Sequence, residues 1–259
     1  MSDFVLKAGL DLPVAGGAEA TSLQALDAPG SVAVTPPDYT GFKMRLAVKE
    51  GDVVQAGQPL GYAKIRPEMK FVSPAAGTVR SIVRGARRSI QAVVVDVAEG
   101  GCVDHGALDH GAITQLGAEG VRARLLEGGA WLLLRSKPMA RIADPEHKPV
   151  AILVATTETG PNCADQEVLL AGREEDLKAG FAALTQLAPT VHVTHGAGGM
   201  PSVMSGITDV QTHRFTGPHP SGDPEVQINF VCSPGMEQQV WYCRAVDVAD
   251  MGALLRTGR

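Results

Sequence analysis

The sequence predicts a mixed α/β fold in two parts, a small flattened β-barrel followed by an α/β unit built on parallel strands. Three observations predict it. Residues 48–79 (VKEGDVVQAGQPLGYAKIRPEMKFVSPAAGTV) alternate short apolar runs with glycine turns. After Thr114 the hydrophobic period changes from strand-like to helical. Further on, an apolar run, an amphipathic stretch and a second apolar run follow one another, the pattern of parallel strands joined by a helix.

Taken in order, residues 1–30 are irregular. Gly9, Pro13, Gly16, Gly17 and Pro29 punctuate them, and they are expected to form an extended lead-in packed against the body. The barrel is expected over 31–98. Lys49-Glu50-Gly51-Asp52 is a turn, because Gly51 takes positive φ without a Cβ clash and Asp52 hydrogen-bonds locally. Val53 and Val54 form a short strand, Ala56-Gly57-Gln58 a second turn, and Pro59-Leu60 re-enter a strand. Pro74 cannot donate to a ladder and so belongs at a strand edge or start. Gly77 permits the bend into Thr78-Val79, and 89–97 (SIQAVVVDV) are the last strand. Gly51 and Gly85 occupy similar settings (VKEG and VRG), so the barrel reads as two half-repeats whose closure leaves few free edges.

EGD-x-V-x-x-GQPL followed by SPAAGTV resembles a biotinyl/lipoyl-like domain. The resemblance implies a modified lysine at the tip of a tight hairpin. Here the hairpin, 62–70 (YAKIRPEMK), holds Lys64 and Lys70, and neither has Met-Lys-Met or Asp-Lys-Ala surroundings. Lys64 lies too far from Ser73, Lys70 too close, and Pro67 with the extra length predicts a protruding loop. No covalent biotin or lipoyl group is therefore expected; the two lysines are solvated or dock on a partner.

Residues 99–113 form a polar linker with an echo, Asp104-His105-Gly106-Ala107-Leu108 and then Asp109-His110-Gly111-Ala112-Ile113. The α/β unit is expected over 114–259. Val121, Leu125 and Leu126 fit an amphipathic helix that Glu127-Gly128-Gly129 ends. For 130–134 (AWLLL) periodicity leaves a helix onset and a buried strand both open. Residues 149–155 (PVAILVA) are a buried strand, 161–171 a turn continuing into a helix, and 173–187 a helix carrying Leu177, Phe181, Leu184 and Leu187 on one face. Residues 191–193 return to strand. Two strands, 228–232 and 240–244, flank Pro234-Gly235 and predict a β-hairpin; 246–256 form a final helix.

Composition narrows the function. A chain of 259 residues can bury a substantial core. Its net charge of −5 and pI near 5.8 argue against nucleic acid as a partner, and 4% aromatic content leaves little for base stacking. No basic stretch leads into an apolar one at the start, and the apolar runs at 92–95 and 150–155 are too short to cross a bilayer, so no signal peptide and no transmembrane segment of its own is expected. Cys102, Cys163, Cys232 and Cys243 are widely spaced without a C-x-x-C pair, which argues against a local iron–sulfur or zinc site.

Few residues in the second half suggest chemistry. His195-Gly196-Ala197-Gly198-Gly199 follows a strand, but it lacks G-x-G-x-x-G order and Pro201-Ser202 stand where a helix should begin. His192 and His195 point to opposite faces of their strand and would not share a metal. The Asp-His pairs offer ligand types on a solvated loop. Glu158 and Asp165 flank the loop after the 149–155 strand, where α/β folds place ligands, or are turn-forming carboxylates. Arg80, Arg84, Arg87 and Arg88 make a basic run that faces anionic lipid, an acidic partner protein or solvent. Phe215-Thr216-Gly217-Pro218-His219-Pro220-Ser221-Gly222 is a stiff, special loop.

Four motifs in order carry a wider resemblance: KAGLDLPVAG at 7–16, the EGD…GQPL…SPAAGTV barrel, Gly129-Ala130-Trp131 with Leu134-Arg135-Ser136-Lys137-Pro138, and Gly217-Pro218-His219-Pro220. They resemble the A-subunit family of the sodium-translocating NADH:quinone oxidoreductase, from about residue 5 onward. The resemblance implies a biotinyl/lipoyl-like barrel-sandwich domain joined to a Rossmann-like α/β domain related to the flavin subunit of complex I. It implies a peripheral subunit on the cytoplasmic face of the bacterial inner membrane, with other subunits of the redox complex as partners and ubiquinone as substrate. Bulky Trp131 to Leu134 stand where a flavin needs close backbone approach, so neither a flavin nor an iron–sulfur cluster is expected in this chain. The family continues into a β-grasp-like domain and a further C-terminal region beyond this sequence. The expected quinone contacts are Phe215, Gly217, Pro218, His219 and Pro220, with His219 as donor and Phe215 and the prolines as walls. The expected docking residues are Lys64, Lys70, Arg84, Arg87 and Arg88. The competing expectation is a docking module without a catalytic part.

Overall fold

The computed structural model describes residues 2–11, 13–16, 22–233, 235 and 238–259, so the readings on Leu12, Gly17 and Pro234 lie outside it. The chain begins in an unexpected place. Strand β1 (Ser2–Val5) does not lead into the barrel; it belongs to the sheet of the α/β domain. Among the described residues from 6 to 30 there is no helix or further strand.

The barrel follows, in two sheets. Strands β2 (Ser31–Val34), β3 (Met44–Leu46), β4 (Val53–Val54), β5 (Pro59–Ala63), β6 (Arg66–Val72), β7 (Gly77–Arg84) and β8 (Ile90–Val97) pair as β2-β8-β7-β4 and β3-β5-β6, throughout antiparallel. The glycine turns form as the residues dictate. Gly51 has φ 88° and Gly57 φ 78°, and Asp52 accepts the Lys49 amide at 2.9 Å. At Gly77 a Cβ would overlap the Asp96 carbonyl, so only glycine lets β7 approach β8 there. Val54, Leu60, Val79, Val93 and Val95 fill the space between the sheets.

The hairpin joining β5 and β6 corrects one expectation. Ala63 pairs with Arg66, so Lys64 and Ile65 are a two-residue tip, not a protruding loop. Pro67 lies within β6, which is possible because β6 is an edge strand and lacks a partner on one side.

Helices α1 (His110–Thr114) and α2 (Gly117–Glu127) lead into the α/β domain, and residues 130–133 turn as a short 3-10 helix. Then come β9 (Arg135–Lys137), β10 (Arg141–Ile142), β11 (Ala151–Ala155), α3 (Gln166–Leu169), α4 (Glu174–Leu187), β12 (Val191–His195), β13 (Gln211–Thr216), α5 (Pro224–Val231), β14 (Val240–Arg244) and α6 (Ala245–Thr257). The seven-stranded sheet runs β1-β13-β12-β11-β14-β9-β10; β9 is antiparallel to both β14 and β10. Every residue of β11 is buried, as a central parallel strand covered on both faces must be. Ile152, Val154 and Trp241 face α4 and α6, while Leu153, Ala155 and Tyr242 face Ile228 of α5.

The expected late hairpin is absent. Residues 228–231 are helical, because Asp223 caps α5 by accepting the Glu225 amide at 2.7 Å and Pro224 opens its first turn. That start signal outweighs the strand propensity of Ile228 and Val231. Strand β14 pairs instead in parallel with β11.

Barrel and α/β domain share one core. Met69 and Phe71 on β6 are fully buried in the same cluster as Trp131, Leu132 and Ile142, each contributing about 1.5–3 kcal/mol. Gly129, at φ 77°, allows the two parts to meet, since a Cβ there would come within 2.8 Å of the Val72 side chain.

Candidate functional site

The seam between the two domains opens into a cavity of about 430 Å³. Its walls are mainly apolar, from Phe42, Ile65 and Met69 on the barrel side and Pro138, Met139 and Ile142 on the other. Polar groups are few: Ser136, Arg141, His147 and Gln239, with the Arg66–Asp144 pair at the edge. This size and this mixture are those of a small-molecule site.

The polar groups are positioned from behind. Ser136 Oγ donates to Gln239 Oε1 at 3.1 Å, and Trp241 Nε1 points at the same oxygen at 3.4 Å, so the Gln239 amide NH₂ is its remaining donor. Trp131 Nε1 donates to the Ala143 carbonyl at 2.8 Å, beside the cavity wall at Ile142. The two indoles stack edge to face at 5.3 Å. Arg66 Nε and Nη2 reach Asp144 Oδ1 and Oδ2 at 3.2 and 2.9 Å. Burial raises the Asp144 carboxyl, but the Arg66 hydrogen bond and the Glu146 amide outweigh it and hold the pKa below the ordinary value. His147 Nδ1 lies 3.6 Å from Asp144. Sequence reasoning missed this cavity, whose walls come from three stretches far apart in the chain, 41–69, 136–147 and 239.

The loop after β13 is ordered by contacts of its own. Phe215 is 2% exposed, stacked on Phe4 at 4.8 Å and edge-on to Phe230. Thr159 Oγ1 is 3.1 Å from His219 Nδ1 and accepts the Gly222 amide at 3.0 Å. The lead-in strand runs alongside: Leu6 N donates to Thr216 O and Leu10 N to His219 O, both at 2.9 Å. The His219 amide meets Asp11 at 3.3 Å. A Cβ on Gly217 would overlap the Leu6 carbonyl, and Pro218 and Pro220 flank His219 in the turn. Thus 7–11 and 217–220, two motifs of the family resemblance, are neighbours in space.

Four of the five expected docking residues gather at one end of the barrel. Lys64, Arg84, Arg87 and Arg88 line one cavity, joined by Lys43, which sequence reasoning did not single out. Lys70 stands apart on β6, opposite Tyr62. Arg80 pairs with Asp96 at 3.1 Å.

The remaining candidates are local in character. Glu158 pairs with Arg244, bridging the loop after β11 to the carboxyl end of β14. Beneath it Asp247 accepts the Arg244 amide at 2.8 Å and caps α6. Asp165 caps α3 and Asp109 caps α1. Residues 196–199 close a tight turn with no α-helix after it. His192 Nδ1 lies 2.9 Å from His213 Nε2, whereas His195 Nδ1 meets the Gly196 carbonyl. Burial lowers His213 to about 4, with the His192 and His195 charges adding to the effect, and burial likewise lowers His192. Among the described residues no three His, Cys, Asp or Glu side chains converge as a metal site, and the four cysteines are unpaired. Trp131 is wholly buried in the shared core. No helix among the described residues is long and apolar enough to cross a membrane.

Two family models match most of the chain. Residues 4–98 match the NqrA N-terminal barrel-sandwich hybrid domain, and 116–259 match the NqrA second alpha/beta domain. Among curated relatives, the A-subunit of the Na(+)-translocating NADH-quinone reductase of Pseudomonas aeruginosa (strain UCBPP-PA14) is 35% identical over 255 residues, covering 98% of this chain and 56% of the relative. The corresponding protein of Neisseria meningitidis serogroup B is 36% identical over 259 residues, covering 98% and 57%. That of Haemophilus influenzae (strain PittGG) is 33% identical over 257 residues, with the same coverage. The chain thus spans somewhat over half the length of these relatives.

Proposed function

The chain belongs to the NqrA family, the A-subunits of the Na+-translocating NADH-quinone reductase, and on that premise we propose that it is a peripheral subunit of such a complex that helps bind ubiquinone for its reduction. Within the complex it would lie on the cytoplasmic face of the bacterial inner membrane. Electrons from NADH arrive through the other subunits, and two electrons and two protons convert the quinone to ubiquinol while Na+ is exported.

The observation that carries this reading is the interdomain cavity. A quinone head is a flat ring with two carbonyl acceptors. Phe42, Met69, Met139 and Ile142 offer apolar walls to the ring, and Arg141, His147 and the Gln239 amide offer donors to the oxygens. The His219 loop is less suited to the role. Its aromatic wall, Phe215, is covered, and His219 Nδ1 is held by Thr159. We read that loop as the lock that holds the N-terminal strand.

A titration of the chain with a short-chain ubiquinone, followed by Trp131 and Trp241 fluorescence, tests the reading. Both indoles stand behind the cavity wall, so saturable quenching is expected, and Met139→Ala should weaken it several-fold because Met139 is 59% exposed and the fold does not depend on it. Equal quenching by an apolar non-quinone, or an unchanged affinity in Met139→Ala, would remove the quinone from this cavity. A docking role without quinone would then be the better reading.

A further inference from the structure

One end of the barrel remains unexplained by quinone binding. The β5–β6 tip, the β7–β8 tip and the segment around Pro36 and Phe42 surround a cavity of about 540 Å³. Its floor includes Met44, Leu46 and Ile90, which rest on the barrel's own core, so the cavity is the uncovered end of that core. Its rim carries Lys43, Lys64, Arg84, Arg87 and Arg88, and no carboxylate lines it.

This clustering runs against the rest of the molecule. The chain carries a net charge of −5. Some arginines elsewhere, among them Arg66, Arg80 and Arg173, meet a carboxylate and others do not; the rim gathers five cations, none of which forms an ion pair among the described residues. Arg87 and Arg88 sit at φ 54° and 58°, in the left-handed region where glycine or asparagine is less strained. Exposed apolar side chains stand beside the cations: Ile65, at the β5–β6 tip, is 71% exposed next to Lys64, and Val83, near the end of β7, is 46% exposed next to Arg84.

We propose that this end of the barrel docks on an anionic phospholipid surface. The lipid phosphates lie among the five cations, Ile65 and Val83 enter the headgroup boundary, and the apolar floor covers the first carbons of an acyl chain. Charge complementarity selects an anionic occupant. Ile65 at the β5–β6 tip and Val83 near the end of β7 place exposed apolar side chains beside these cations, and cations flanking exposed apolar side chains are the composition of interfacial binding, which selects a lipid over an acidic polypeptide. Each cation near such a surface strengthens association by about five-fold, and salt screens it.

Co-sedimentation of the chain with vesicles of phosphatidylglycerol mixed with phosphatidylcholine, and of phosphatidylcholine alone, tests this. Binding is expected only to the phosphatidylglycerol vesicles, and it should weaken as salt rises. The double variant Arg87→Gln, Arg88→Gln should lose about 25-fold in affinity with an unchanged thermal transition, because both side chains are exposed. Ile65→Ser should weaken binding at constant charge. Absence of sedimentation, equal binding to neutral vesicles, or binding that the double variant leaves intact would each overturn the proposal. Capture of a polyglutamate peptide by a chain that ignores both vesicles would also overturn it and assign the cavity to an acidic segment.

Discussion

Arg66 of the barrel and Asp144 of the α/β domain form a two-pronged ion pair across the domain seam, with both guanidinium contacts at or below 3.2 Å. Glu146 joins at 2.9 Å from the same Nη2. The pair fixes the angle at which the hairpin tip meets the cavity edge.

Asp144→Asn should therefore lower the thermal transition by about 2 °C at neutral pH, since both partners are about a third exposed and partly screened. The sign with pH follows from the depressed carboxyl pKa. The stabilisation is complete above the unfolded-state value and is lost as pH falls through the folded one. Melting curves of both proteins on acidification should converge; a constant difference would show that the ion pair is not its source.

Gly9→Ala should detach the N-terminal strand. Its new Cβ would overlap the His219 carbonyl and lie 2.8 Å from Pro218 Cγ, and a backbone oxygen cannot step aside. The cost is about 1–3 kcal/mol. Amide exchange in residues 2–11 should speed up while that of β11 and α4 stays slow.

Gly252→Ala reverses the ordinary helix rule. Alanine in an exposed helix stabilises by about 1 kcal/mol over glycine. Here the added Cβ would overlap the Asp176 carbonyl and lie 2.7 Å from the Gly180 nitrogen, so α6 would be pushed off α4. A loss of at least about 2 kcal/mol is expected in chemical denaturation. An unchanged midpoint would show that the two helices do not meet there.

The His192–His213 pair makes stability fall in mild acid. His213 titrates near 4 in the fold, below its ordinary 6.5, so the unfolded chain binds the extra proton first. Its contribution is complete above about 6.5 and declines as pH falls towards 4. His213→Asn should flatten the stability profile in that window. An identical slope in the variant would assign the acid sensitivity to other groups.

Much of this architecture is legible in the residues, and the exceptions have physical causes. Gly51, Gly57 and the apolar runs of β11 and α4 act through local conformation and burial, which sequence records directly. Strand β13 is not legible because its buried positions, His213 and Phe215, alternate with Thr212 and Arg214; His213 is accommodated by His192 and Phe4 on the neighbouring strands. Residues 228–231 carry strand propensity, while the deciding signal, Asp223-Pro224, lies just upstream. The His219 loop is legible as special, but its partners Gly9 and Asp11 lie more than 200 residues away. The cavity at the seam exists only once both domains have met.

The pairing of β1 with β13 sets an order on the chain's synthesis. Ser2 aligns with His213, so Phe4 and its neighbours leave the ribosome well before β13, the strand they pair with. At about 5–20 residues per second their partner emerges roughly 10–40 s later. The whole barrel is translated in that interval. Its stretch of chain is then closed into a loop whose two ends are both held by the other domain's sheet.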